Sequence, residues 1–378
     1  MFQDYIVDEY LLDVNGELIE KLKQEDLDII IYGCGGASKT FTNLLNKNGL
    51  SVTAYLEGKQ YFKEGKVFLN KPVYLIDNIY KQMNNINLIV CATGNDVIHI
   101  MNDLKSKMNV NIYSYLDRNQ LYTMKAEWVV EHKEELNQVY DLLEDEESKL
   151  VFRSFIAARA NNIKRECCEN MISLWTSEQY FNDLYPKELY DEHILIDCGA
   201  YIGDSATAFF EFLKDEEKPV MVRAFEMEDE NFKELESLSN KYNNLIAYKI
   251  GLGDKHEKYY YERKKDASVL VDYETENMVE IAPLDSILKG KEIKASFIKM
   301  DIEGFEEKAL MGMKNVIINN KATLAICVYH KVDDLIRLPK LIKSYVESST
   351  CDVKYKYYLR HHSHNAAELV FYAVPCTQ

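Results

Sequence analysis

The residues that could do chemistry in this chain gather in its second half. The apolar run Ile194-Leu195-Ile196 is followed by Asp197-Cys198-Gly199-Ala200-Tyr201-Ile202-Gly203-Asp204 and then by a helical pattern over Ser205–Phe212. Glycines let a backbone approach a ligand closely, and the carboxyl edge of an open α/β sheet is where nucleotides bind. The next β-rich run ends in Glu226, 23 residues beyond Gly203, with Met227 beside it. A carboxylate in that place can accept hydrogen bonds from both hydroxyls of a ribose. A third run ends in Gly251-Leu252-Gly253-Asp254, a tight turn that could face an adenine. Each signal alone is as often structural as functional, but three at the ends of successive strands point to a bound adenosine cofactor.

Asp301 ends the fourth run, where a carboxylate can act as a base or as a metal ligand. His330 ends the fifth, and His361 closes a strand near the C-terminus. Two imidazoles and one carboxylate form a facial set suited to iron or a similar divalent ion. On the plainer reading His330 is a hydrogen-bonded base, while His361, His362 and His364 are solvated loop residues. Glu303 and Glu368 are further ligand candidates, although Glu303 could equally cap a helix starting at Gly304. Lys331 and Arg360 flank the histidines and suit a phosphate of the acceptor, such as the diphosphate of an activated sugar. Lys264-Lys265 reads as a solvated loop and Tyr259-Tyr260-Tyr261 as a strand edge.

These residues need a parallel sheet to bring them together. Strands are expected at Ile194–Asp197, Val220–Glu226, Leu245–Ile250, Phe297–Asp301 and Leu324–Tyr329, separated by helical patterns. The final β-rich runs, Lys354–Leu359 and Leu369–Val374, leave no room for a crossover helix and should pair antiparallel. The first half has its own rhythm. Asp28–Tyr32, Val52–Leu56, Val73–Ile76, Leu88–Cys91 and Val110–Tyr115 alternate with polar or helical stretches and imply a small parallel α/β domain. Its Gly33-x-Gly35-x-x-Ser38 turn, with Glu57 22 residues past Gly35, is similar to a dinucleotide fingerprint whose third glycine is replaced by Ser38. The expected domains are 1–123, Rossmann-like and binding a nucleotide or sugar nucleotide; 124–180, a helical connector; and 181–378, a Rossmann-like α/β sheet ending in an antiparallel hairpin.

The C-terminal segment resembles the FkbM family of methyltransferases. The likeness rests on Ile196 to Asp204, Ala224-Phe225-Glu226, Gly251-Leu252-Gly253-Asp254 and above all Lys299-Met300-Asp301-Ile302-Glu303-Gly304. Phe305 stands where that family more often has Ala. The resemblance runs from about Gln179 to Pro375 and implies transfer of a methyl group from S-adenosylmethionine, usually to an oxygen of a sugar or natural product. On that basis Asp197, Gly199, Ala200, Tyr201, Gly203, Asp204, Glu226, Met227, Gly253, Asp254 and Asp301 would bind the cofactor. Asp301 and His330 would activate a hydroxyl of a sugar, sugar nucleotide or glycan precursor, unaided or with Fe, Mn or Mg held by Asp301, His330 and His361. The alternative is a nucleotide-binding oxidoreductase or binding protein that uses the Gly33-x-Gly35 turn. A third reading keeps both pockets in an assembly factor without turnover.

Composition narrows the classes. The chain has 378 residues, 47% of them hydrophobic, and a formal net charge of −17. Binding along nucleic acid requires a basic surplus, so nucleic acid is not an expected partner. No apolar stretch reaches the length needed to cross a bilayer. The eight cysteines are scattered, several in apolar strand-like runs, which suggests reduced thiols and a cytoplasmic protein. A homo-oligomer is compatible with all of this.

Overall fold

The computed structural model describes residues 1–7, 14–91, 97–115, 124–263, 268–271, 273–290, 294–349, 353–363 and 365–376. His364 and Lys264-Lys265 lie outside the described residues. The chain forms two compact units that interleave along the sequence. The first contains Met1–Asn137, Lys149–Ser177 and His361–Glu368; the second contains Gln138–Ser148, Glu178–Arg360 and Leu369–Gln378.

The first unit is built on β1 (Asp28–Tyr32), β2 (Val52–Glu57), β3 (Val67–Phe68), β4 (Lys71–Leu75), β5 (Ile86–Val90) and β6 (Val110–Ser114), in the order β3-β4-β2-β1-β5-β6. All pairings are parallel except β3 with β4. Successive side chains of a strand point to opposite faces, so Ile30 joins Leu56 and Leu88 in one core, while Ile29 and Ile31 join Phe41 and Tyr55 in another. Burial on both faces explains the unbroken apolar runs.

The second unit carries the main sheet: β7 (His193–Cys198), β8 (Val220–Glu226) and β9 (Leu245–Lys249), then β10 (Gly251–Leu252), β11 (Glu257–Arg263), β12 (Ser268–Val271) and β13 (Met278–Ala282) in a separate sheet, and finally β14 (Phe297–Met300), β15 (Thr323–Cys327), β16 (Lys354–His361) and β17 (Leu369–Cys376). The main sheet runs β16-β17-β15-β14-β7-β8-β9. β7, β8, β9, β14 and β15 are parallel, and β17 is antiparallel to β15. From β7 the chain winds outward to β9 and then returns to β7's other side at β14. The carboxyl ends of β7 and β14 therefore form the switch point at which such sheets bind ligands.

The sequence expectation of helical patterns between β9 and β14, with Tyr259-Tyr260-Tyr261 as a strand edge, is corrected by the four-stranded sheet β10-β13-β11-β12. Gly251-Leu252 does not close the third strand but opens this sheet, parallel to β13. Tyr259-Tyr260-Tyr261 lies on β11, an interior strand paired on both sides and not an edge.

Candidate active site

The turn after β7 is shaped by two glycines in the left-handed region. Gly199 has φ +79, and a Cβ there would lie 1.9 Å from the Asp301 carbonyl oxygen, so only glycine lets the turn rest on the end of β14. Gly203 has φ +90 and packs on Leu238 just before the helix Asp204–Phe212. The N–H groups of Gly199 and Ala200 both donate to the Phe225 carbonyl, at 3.0 Å each, which fixes the turn beside β8. Asp197 is fully buried under it, with Lys299 Nζ 3.2 Å from its Oδ1, and Lys299 also donates to the Gly199 carbonyl. Burial pushes the Asp197 carboxyl up to about 6 against the pull of Lys299. Asp197 thus holds the turn from below, out of solvent's reach, while Tyr201 and Asp204 are exposed above it.

Glu226 ends β8 with its carboxylate fixed at both oxygens. Oε2 accepts the Tyr201 N–H at 2.9 Å, and Oε1 accepts the Glu228 N–H at 2.7 Å. Burial raises its carboxyl above the usual range, opposed by those backbone donors. Each oxygen keeps acceptor capacity for a ribose hydroxyl. The third turn is placed differently. Gly253 is packed against Ile281 of the inserted sheet and Phe305 at the head of the helix Glu306–Gly312, Met227 packs on the same cluster, and Asp254 is exposed.

Asp301, just past β14, accepts a hydrogen bond from Tyr180 Oη at 3.0 Å on Oδ2, while its Oδ1 makes none. His330 sits three residues beyond the end of β15. Its Nε2 is 3.4 Å from Asp301 Oδ1 and 3.6 Å from Glu303 Oε2, and its Nδ1 is 2.9 Å from Glu306 Oε1. Glu306 is buried at the start of the helix Glu306–Gly312 and also accepts the Ile302 N–H at 3.0 Å. Burial alone would lower the His330 pKa, but Glu306, then Asp301 and Glu303, outweigh it and hold the imidazole up to about 10. The three carboxylates thus favour the protonated form of the His330 ring.

Residues 197–337 match the family model for the methyltransferase FkbM domain. That segment is similar to the FkbM methyltransferases. The chain as a whole has the fold of a methyltransferase FkbM from Methylobacillus flagellatus, with 18% identity, 96% of this chain and 94% of that one covered, and a TM-score of 0.56. Weaker likenesses include a fibrillarin from Aeropyrum pernix solved with S-adenosyl-L-methionine (8% identity, 49% of this chain and 66% of that one, TM-score 0.30). A precorrin-6y C5,15-methyltransferase from Geobacter metallireducens is another (12%, 52% and 85%, TM-score 0.30). No curated protein matches the sequence.

Within the matched segment, the residues brought together around Asp301 are His330, Glu303 and Glu306, with Tyr180 joining from before it. His361 is not among them. It belongs to the first unit, where its Nε2 lies against the Asn365 carbonyl of its own loop. Glu368 ends that same loop with φ +50. Arg360 is also engaged elsewhere: its guanidinium is 2.7 Å from Asp145 and 2.8 Å from Ser148 Oγ, so it is not offered to a phosphate. Lys331 remains exposed beside the site, its stem lying over Gly304. Glu303, at φ +56, precedes the helix by three residues and does not cap it. Sequence reasoning assigned no role to Tyr180, Lys299 or Glu306. The signal for the last two was at hand, since Lys299 opens the diagnostic block Lys299–Gly304 and Glu306 lies two residues beyond it.

Proposed function

We propose that the protein transfers the methyl group of S-adenosylmethionine to a hydroxyl oxygen of a sugar, sugar nucleotide or glycan precursor. The observation that carries this reading is the contact of Gly199 with the end of β14, which puts the candidate cofactor turn and Asp301 side by side. Adenosine would lie along the Gly199–Gly203 turn with its ribose on Glu226. Methyl transfer is an in-line displacement, so much of the acceleration comes from holding the acceptor oxygen near the methyl carbon. A protonated hydroxyl is a poor nucleophile, and Asp301 Oδ1, without a hydrogen bond of its own, is the group to take its proton or orient it. His330 steadies that carboxylate as a cation, and a divalent ion at the same place would polarise the hydroxyl directly. Lys331 is the remaining candidate for a phosphate of the acceptor.

The alternative use of the Gly33-x-Gly35 turn has less support, because both oxygens of Glu57 are held by Lys66 at 2.6 and 2.7 Å. A ribose would have to displace that ion pair. Calorimetry with S-adenosylhomocysteine and with NAD separates the readings: binding of the former alone is expected, and binding of NAD alone overturns the proposal. Release of S-adenosylhomocysteine on addition of sugar nucleotides would then identify the acceptor class.

A further inference from the structure

We propose that Asp301, Glu306 and His330 form a binding site for one first-row divalent cation, with Glu303 at its open side. One oxygen of Asp301, one of Glu306 and a ring nitrogen of His330 lie within 4.8 Å of one another, close to the spacing that a single ion would draw together. Each of the three groups, though paired elsewhere, has an atom without a hydrogen bond. Glu306 is 1% exposed yet its Oε2 has no hydrogen bond, and the His330 side chain is 9% exposed with Nε2 in the same condition. Asp301 Oδ1, which faces that nitrogen at 3.4 Å, also has none. A buried polar atom left without a partner costs roughly 1–3 kcal/mol, so several at one point mark a place shaped for something else.

Charge points the same way. Asp301, Glu303 and Glu306 surround one imidazole, and Asp334, buried behind Glu306, adds a fourth carboxylate whose Oδ2 is held by the Lys331 N–H at 2.7 Å. Glu306 and Asp334 are buried, Asp301 is partly buried and Glu303 is exposed, and four carboxylates against one imidazole favour a cation of more than unit charge. Mixed oxygen and nitrogen donors suit Mn²⁺, Fe²⁺ or Zn²⁺.

This set differs from the combination of Asp301, His330 and His361 expected from the sequence. It replaces His361 with a glutamate four residues after Ile302, which Glu306 also ties to the turn. The function assigned to the ion, polarising the acceptor hydroxyl, rests on the methyl-transfer reading; its binding does not.

The test uses the full chain, stripped with chelator and desalted, and titrated with Mn²⁺ followed by electron paramagnetic resonance and with Zn²⁺ by calorimetry. One ion per chain is expected for at least one of the two metals. Glu306→Gln and His330→Gln should each weaken it by at least about tenfold, while S-adenosylhomocysteine affinity in the same preparations stays unchanged. Failure of the unsubstituted chain to take up either ion stoichiometrically overturns the site, as does uptake that both folded variants retain. If the ion binds and S-adenosylhomocysteine does not, the site stands and the methyl-transfer reading falls.

Discussion

Glu226 carries two opposite pH trends, because burial raises its carboxyl above the ordinary range. In the free protein a raised carboxyl lends stability below the unfolded value and loses it as pH climbs through the folded one. Cofactor binding runs the other way, since the ribose needs the ionised acceptor. Affinity for S-adenosylhomocysteine should therefore fall as the solution is acidified, starting at a higher pH than an ordinary glutamate would give. Glu226→Ala should weaken binding by roughly 1–3 kcal/mol and remove that pH dependence, as calorimetry at several pH values would read. A folded variant with an unchanged dissociation constant would take Glu226 out of the site. At this scale the sequence revealed the acidic positions, because strand ends are visible as breaks in apolar runs. It did not reveal which acid meets which histidine. Glu306 is the first residue of a helix and reaches His330 only because the turn at Glu303 and Gly304 doubles back, a conformation written in two positive φ angles and in no spacing rule. His361 meets the same limit: its position in a strand is legible, but the unit to which its loop belongs is not.

At the scale of elements, β7, β8, β14, β15 and β17 were readable as apolar runs, and the direction of β17 followed from a connection too short for a helix. The four-stranded sheet from β10 to β13 was not. β10 is two residues long, and β11 mixes Glu, Lys, Arg and Tyr without clean alternation, so neither carries a periodic signal. The contact between the β7 turn and the end of β14 is the joint on which the site depends. Gly199→Ala would force a methyl into the Asp301 carbonyl and strain a positive φ. A loss of more than about 3 kcal/mol is expected in denaturant unfolding, with cofactor binding impaired in whatever remains folded. A stability within 1 kcal/mol of the parent, a difference of about a fivefold equilibrium ratio, would mean the turn can move away from β14.

At the scale of the molecule, the second unit is not one continuous stretch of chain. Gln138–Ser148 belongs to it and straps β16: Ser148 Oγ accepts the Leu359 N–H at 2.9 Å, Asp145 pairs with Arg360, and the Glu144 N–H donates to Tyr357 at 2.9 Å. A protein starting at Glu178 keeps every candidate cofactor residue but leaves Arg360 without its carboxylate. It should melt at a lower temperature than the full chain, by the equivalent of about 1–3 kcal/mol from Arg360 alone; an equal midpoint in calorimetry would show the strap to be dispensable. The order of the last strands has a further consequence for biosynthesis. β17 lies between β15 and β16 although it follows both in the chain. Until β17 is in place, the main sheet ends in the bare backbone edge of β15, and β16 has no strand of that sheet to pair with. Such an edge is a template for unwanted pairing with other nascent chains. The moments before β17 emerges are therefore when this protein most needs a chaperone, and a stop codon placed ahead of Leu369 should send it to aggregates even though Asp301, Glu306 and His330 have all been made.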